Sequence, residues 1–149
     1  MPIKVLELHH HGIRIGTNDE DVENQLLEAW DKADRTIKAS FARKDILNTV
    51  QRFLLESGAK QYFGRKGKRI ALTEREFSNK NGELFRCDRV VFEDELITVM
   101  DYKTGGEEKE SEYKTQIKNY MEILQEIYSD KKVQGCIAYV DVKKTVHVT

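Results

Sequence analysis

The stretch Cys87-Asp88-Arg89-Val90-Val91-Phe92-Glu93-Asp94-Glu95-Leu96-Ile97-Thr98-Val99-Met100-Asp101-Tyr102-Lys103 decides how this chain is read. Two β-rich apolar runs flank a short acidic step, the pattern of strands joined by a tight turn. If Asp94 and Glu95 are the two loop residues, Glu93 pairs with Leu96, Phe92 with Ile97, Val90 with Val99 and Asp88 with Asp101. Directly opposed residues of an antiparallel pair hold their Cβ atoms roughly 5 Å apart. Alternation then puts Lys103 on the face of Asp101, together with Val90, Phe92, Ile97 and Val99. That face is apolar toward the turn and ends in two acids and a lysine.

Two adjacent carboxylates repel, and one of them must hold its proton unless a cation sits between them. A divalent ion resolves the conflict, and carboxylate oxygens suit hard cations such as Mg²⁺ or Mn²⁺. Such an ion polarises a phosphoryl oxygen and lowers the pKa of an attacking water. An ammonium beside it can orient that water or stabilise developing negative charge. The alternative is an ordinary edge hairpin with solvated ends, where acids and lysines are common.

Working outward, residues 69–77 and 83–92 read as strands around the turn Asn79-Lys80-Asn81-Gly82, and 96–103 completes a three-strand meander. A helix is expected over 111–129, then strands near 133–141 and 144–149. Upstream lie a strand at 3–8, a helix at 19–39 carrying Val22, Leu26, Ala29, Trp30, Ala33 and Ile37, and a helix at 43–56 with Ile46, Val50, Phe53 and Leu54 on one side. Gly58 stands where a C-terminal glycine belongs, and 59–63 can add a turn. The order of elements implies an α/β or α+β fold, with a mixed central sheet flanked by helices.

The 149 residues fit a single domain, with 1–68 as an N-terminal strand and helices and 69–149 as the core. The charge balance of -1 excludes a polycation, so any nucleic-acid surface must be a local basic patch. The densest cluster is Lys60, Arg65, Lys66, Lys68 and Arg69, which with Lys114 and Lys118 could track a phosphate backbone. For any single one of them the alternative is a solvated loop residue. Tyr62 and Phe63 beside it could stack on bases or pack in the core. Cys87 and Cys136 sit in apolar runs and read as buried free thiols in a reducing cytoplasm. Two cysteines cannot supply the four thiolates of an iron–sulfur cluster. No apolar run reaches membrane-spanning length, so no membrane partner is expected. The loop at Gly64–Lys68 lacks the spacing of a phosphate-binding motor loop.

The spaced set Glu74, Asp88, Asp101-Tyr102-Lys103-Thr104-Gly105 and Gln116-Ile117-Lys118-Asn119-Tyr120 resembles the PD-(D/E)XK nuclease superfamily, and within it the RecB-like group. It looks most similar to the C-terminal nuclease domains of UvrD/Rep-type, AddA-like helicase–nucleases. The resemblance covers about residues 69–149 and implies a restriction-endonuclease-like core. It implies metal binding by Asp88 and Asp101 with the Tyr102 carbonyl, and a catalytic Lys103. Gln116 and Tyr120, one helical turn apart, would line the site and contact DNA. Glu74 matches an upstream acid, although Glu76 shares its face and leaves that register open. The implied activity is Mg²⁺- or Mn²⁺-dependent, exonuclease-like DNA hydrolysis in repair or recombination. The substrate would be single-stranded DNA or duplex ends, and a helicase motor would be covalently linked or separate.

Two departures stand out. Cys87 occupies the place of the family's proline, and no helical histidine precedes the core; His9, His10 or His11 could reach the metal or form an exposed turn. The missing histidine keeps open a nuclease fold that grips DNA or a protein without cutting. A RecB-like nuclease of a CRISPR adaptation system would carry four cysteines, which this chain lacks.

Overall fold

The computed structural model describes residues 31, 43–63 and 67–149. The expected strand at 3–8, the helix at 19–39, His9 to His11, and Arg65 and Lys66 lie outside the described residues, as does the side chain of Ile46. The chain divides into two compact units, one of residues 1–65 with 139–144 and the other of 66–138 with 145–149.

In the first unit, helix α1 (Arg43–Glu56) carries Val50, Phe53 and Leu54 fully buried, on the one face expected of them. Gly58 follows with φ 78°, a left-handed conformation that a side chain would strain, and a 3₁₀ turn covers Ala59–Tyr62. Tyr62 and Phe63 are both buried, so they pack rather than stand ready to stack on bases.

The second unit is built on a five-stranded sheet in the order β1 (Ile70–Ser78), β2 (Leu84–Phe92), β3 (Leu96–Lys103), β4 (Lys132–Tyr139) and β5 (Lys144–Val148). At the β1–β2 turn the Asn79 carboxamide oxygen accepts the N–H groups of Asn81 and Glu83 at 2.9 and 3.0 Å, and Gly82 takes φ 79°. β2 and β3 pair antiparallel in the register read from sequence: Val90 opposes Val99 and Phe92 opposes Ile97. The Glu93 N–H closes the turn onto the Leu96 carbonyl at 2.8 Å. Both strands lie inside the sheet, which overturns the edge-hairpin alternative. Their turn-side residues are buried on both faces: Val90, Val91, Ile97, Thr98, Val99 and Met100.

Helix α2 (Glu110–Ile127) links β3 to β4. The Lys132 N–H reaches the Glu95 carbonyl at 2.9 Å and the Gln134 amide reaches the Thr98 hydroxyl at 3.0 Å. Both strands therefore start at the same end of the sheet and run parallel, which makes the sheet mixed. Ile117, Tyr120, Ile123 and Leu124 form the buried stripe of α2. Gly135 on β4 admits Ile117 and Met121 so closely that a Cβ there would meet them at 3.0 and 2.9 Å. This glycine lets α2 settle on the sheet and brings its polar face to the end of β3.

Candidate active site

The β2–β3 ladder runs from Phe92↔Ile97 to Arg89↔Met100. Continued one step, it would oppose Asp88 and Asp101. There the Asp88 side chain takes over from the backbone, and its Oδ2 accepts the Tyr102 N–H at 2.8 Å. The β1–β2 ladder is interrupted at the same level. Thr73 pairs with Arg89 and Arg75 with Cys87, but Glu74 between them adopts φ 49°. Two ring contacts tie β2 to α2 and to the residue that follows it. Phe92 meets Tyr128 edge-on at 5.3 Å between ring centroids, and Phe85 meets Tyr120 at 6.3 Å. Those two phenylalanines are an odd number of residues apart, so a regular strand would present them to opposite faces.

Asp101 is buried and Lys103 mostly so; the Lys103 Nζ lies 2.6 Å from Asp101 Oδ2. The same ammonium donates to the Gln116 carboxamide oxygen at 3.0 Å, and the Gln116 amide nitrogen donates to the Tyr120 hydroxyl at 2.9 Å. The Tyr113 ring covers the ammonium, with its centroid 4.5 Å from Nζ. A polar chain therefore runs from the carboxylates at the end of the sheet along one face of α2. On the other face of the sheet, buried Arg89 lies close enough to the Tyr102 side chain to interact with it electrostatically, and so backs the residue whose N–H holds Asp88. Burial pulls the Arg89 guanidinium down to about 10, still charged at neutral pH.

Burial pushes the Asp88 carboxyl up to about 6. The Tyr102 N–H opposes this, and the facing Asp101 adds to it by repulsion and by hydrogen-bonding the protonated form. Burial also raises the Tyr120 phenol. Cys87 and Cys136 are buried free thiols, each pushed up to about 12 mainly by desolvation, so neither is a nucleophile at neutral pH.

The family model for the PD-(D/E)XK nuclease superfamily matches residues 4–148. The chain belongs to this superfamily. No curated protein matches it. Members of the PD-(D/E)XK superfamily are generally metal-dependent nucleases, so its fold implies a nucleic-acid substrate.

The residues at the end of the sheet fit the divalent ion on which PD-(D/E)XK nucleases typically depend. Two carboxylates from adjacent strands face each other, one of them driven toward its protonated form chiefly by burial and further by that proximity. A bound cation would relieve both effects. Among the described residues no group of three or more His, Cys, Asp or Glu side chains converges. Mg²⁺ tolerates this, because it keeps several of its own waters and commonly takes only one or two carboxylates.

The other expected site residues fall differently. Glu74 forms an ion pair with Arg86 at 2.6 Å. Arg69 is committed to Glu93 at 2.8 Å with its side chain 8% exposed, so it is withdrawn from any phosphate-binding surface. Lys68 and Lys118 are exposed, and Lys114 pairs with Glu110 at 2.7 Å. Two contributors were not singled out from sequence, the Tyr102 N–H and the Tyr113 ring. Tyr113 precedes Gln116 by three residues, a helical spacing that shares a face and could have flagged it. No sequence pattern marks a backbone N–H as a carboxylate's partner. Among the described residues no helix is long and apolar enough to cross a membrane.

Proposed function

We propose that the chain is a divalent-metal-dependent deoxyribonuclease of the RecB-like group, acting as the nuclease domain of an AddA-like helicase–nuclease in DNA repair or recombination. The observation that carries this reading is the contact of the Lys103 ammonium with the Asp101 carboxylate at 2.6 Å, beside an Asp88 held by the next backbone N–H of the same strand. In it, Asp88, Asp101 and the Tyr102 carbonyl hold Mg²⁺ or Mn²⁺, and the whole of 1–149 serves as one nuclease domain. When bound, the ion supplies a polarised phosphoryl oxygen and an acidified water.

The chain's own groups do the rest. Asp88 is oriented by the Tyr102 N–H, so its carboxylate is preset for the site. In this reading the Lys103 ammonium orients water or neutralises charge building on the phosphate. Gln116 fixes Lys103 from α2, and Tyr120 fixes Gln116. Glu74 is assigned the family's upstream acid, acting from the β1 side. Exposed Lys68 and Lys118, with Lys114, Arg65 and Lys66, provide phosphate contacts along the strand, whether single-stranded or at a duplex end. The reduced thiols fit a cytoplasmic setting.

The test is cleavage of end-labelled single-stranded DNA during a Mn²⁺ titration, repeated with Asp101→Ala. Cleavage should require the metal and disappear in the variant. Undiminished cleavage by Asp101→Ala would sink the assignment. A second reading, a nuclease fold that binds DNA without cutting it, draws on the two-carboxylate site among the described residues. It requires DNA binding with no heat of metal binding by calorimetry.

A further inference from the structure

We propose, resting on the nuclease reading, that Tyr113 is a positioning residue: its ring holds the Lys103 ammonium at the carboxylate pair. Among the described residues Lys103 meets groups of three kinds, the Asp101 carboxylate at 2.6 Å, the Gln116 carbonyl oxygen at 3.0 Å and the Tyr113 ring face at 4.5 Å. Lysine is flexible and loses considerable rotamer freedom when fixed, so a single contact would not define its position. Tyr113 and Gln116 are one helical turn apart on α2 and grip the ammonium together.

The ring matters most when a cation draws on Asp101. The carboxylate that binds Lys103 in the ion-free chain is then shared, and a positive ion nearby repels the ammonium. Gln116 and Tyr113 are the contacts that remain. A carboxamide dipole and an aromatic face attract a cation without competing for the metal, because neither carries a net charge. A carboxylate in the place of Tyr113 would hold Lys103 equally well but would also recruit the ion.

The experiment compares wild type, Tyr113→Phe and Tyr113→Leu with and without Mg²⁺. One readout is the Lys103 ε-methylene resonance, assigned by its loss in Lys103→Arg. The other is kcat and KM for single-stranded DNA, measured where thermal melting shows all three chains folded. In wild type the ε-methylene should lie upfield of the other lysines through the ring current, with and without Mg²⁺. Tyr113→Leu should abolish that displacement and lower kcat about five- to thirtyfold with KM nearly unchanged. Tyr113→Phe, which keeps the ring, should restore both.

An unshifted Lys103 resonance in wild type would overturn the proposal. So would wild-type kcat in Tyr113→Leu after the displacement is lost, or a Tyr113→Phe defect equal to that of Tyr113→Leu. If wild type shows the displaced resonance in Mg²⁺ but cuts no DNA, the nuclease reading fails while the hold of Tyr113 on Lys103 stands.

Discussion

The two halves of the β2–β3 hairpin are built from the same strands and serve opposite ends. Toward the turn, Val90 faces Val99 and Phe92 faces Ile97 in an unbroken ladder, and the first three of the residues Val90, Val99, Ile97 and Phe92 are fully buried. Toward the open end the ladder stops, a side chain replaces the backbone as hydrogen-bonding partner, and Asp88, Asp101 and Lys103 crowd together partly out of water. The first half gains free energy from apolar burial. The second desolvates charges whose mutual attraction only partly offsets that cost. A site that is poor in stability is tolerable because the neighbouring half is not, and the boundary between them is one residue pair wide.

The largest expected effect comes from the open half. Lys103→Met should reduce metal-dependent cleavage about a thousandfold, roughly 4 kcal/mol in the barrier, because it removes the ammonium that touches the Asp101 carboxylate. Metal affinity by calorimetry should hold or rise, since a competing cation has gone from Asp101. A loss of metal binding equal to the loss of rate would show that the division of labour between lysine and carboxylates is wrong. The turn half should behave in reverse. Ile97→Ala deletes a fully buried side chain and should cost about 3 kcal/mol of unfolding free energy, read as a lower denaturant midpoint. Cleavage measured well below that midpoint should change less than about threefold. A collapse of activity in the still-folded Ile97→Ala protein would mean that the two halves are not separable.

The turn half is also the part most legible in the sequence, and the comparison explains why. Its register follows from alternation and from a two-residue turn, both local properties, and Val90↔Val99 and Phe92↔Ile97 pair as read. The helix at 43–56 and Gly58 follow equally from spacing and a glycine. Extending the same rule to Asp88 and Asp101 brings the acids together but misses how they are held. A side chain accepting the Tyr102 N–H, and a positive φ at Glu74, arise where the β2–β3 ladder ends while β1 and β2 go on pairing, which alternation does not encode. Arg69 looked like part of a phosphate track because composition shows charge without partners. Its pairing with Glu93, 24 residues away, is tertiary. The lysine's contacts on α2 depend likewise on how closely the helix approaches the sheet, which Gly135 sets without announcing it.

The smallest effect is the most specific to the contrast. Asp88 is raised from 3.8 to about 6 in the folded, metal-free chain, chiefly by burial. Between those values the folded chain binds more protons than the unfolded chain, so stability falls as pH rises through the window and is lowest above it. Asp88→Asn removes the titration while its carboxamide oxygen can still accept the Tyr102 N–H. The variant should therefore be more stable than wild type by about 1 kcal/mol at pH 7.5 in the presence of a chelator, with the gap closing toward pH 4. If Asp88 and Asp101 hold the metal as proposed, saturating Mg²⁺ should reverse the order, because the ion would then stabilise only the chain that keeps both carboxylates. Denaturant midpoints for the two proteins at pH 4 and 7.5, with chelator and with Mg²⁺, measure all of this. If Asp88→Asn is the less stable protein at pH 7.5 without metal, the carboxylate is a net structural asset, and the open half of the hairpin does not carry the cost assigned to it here.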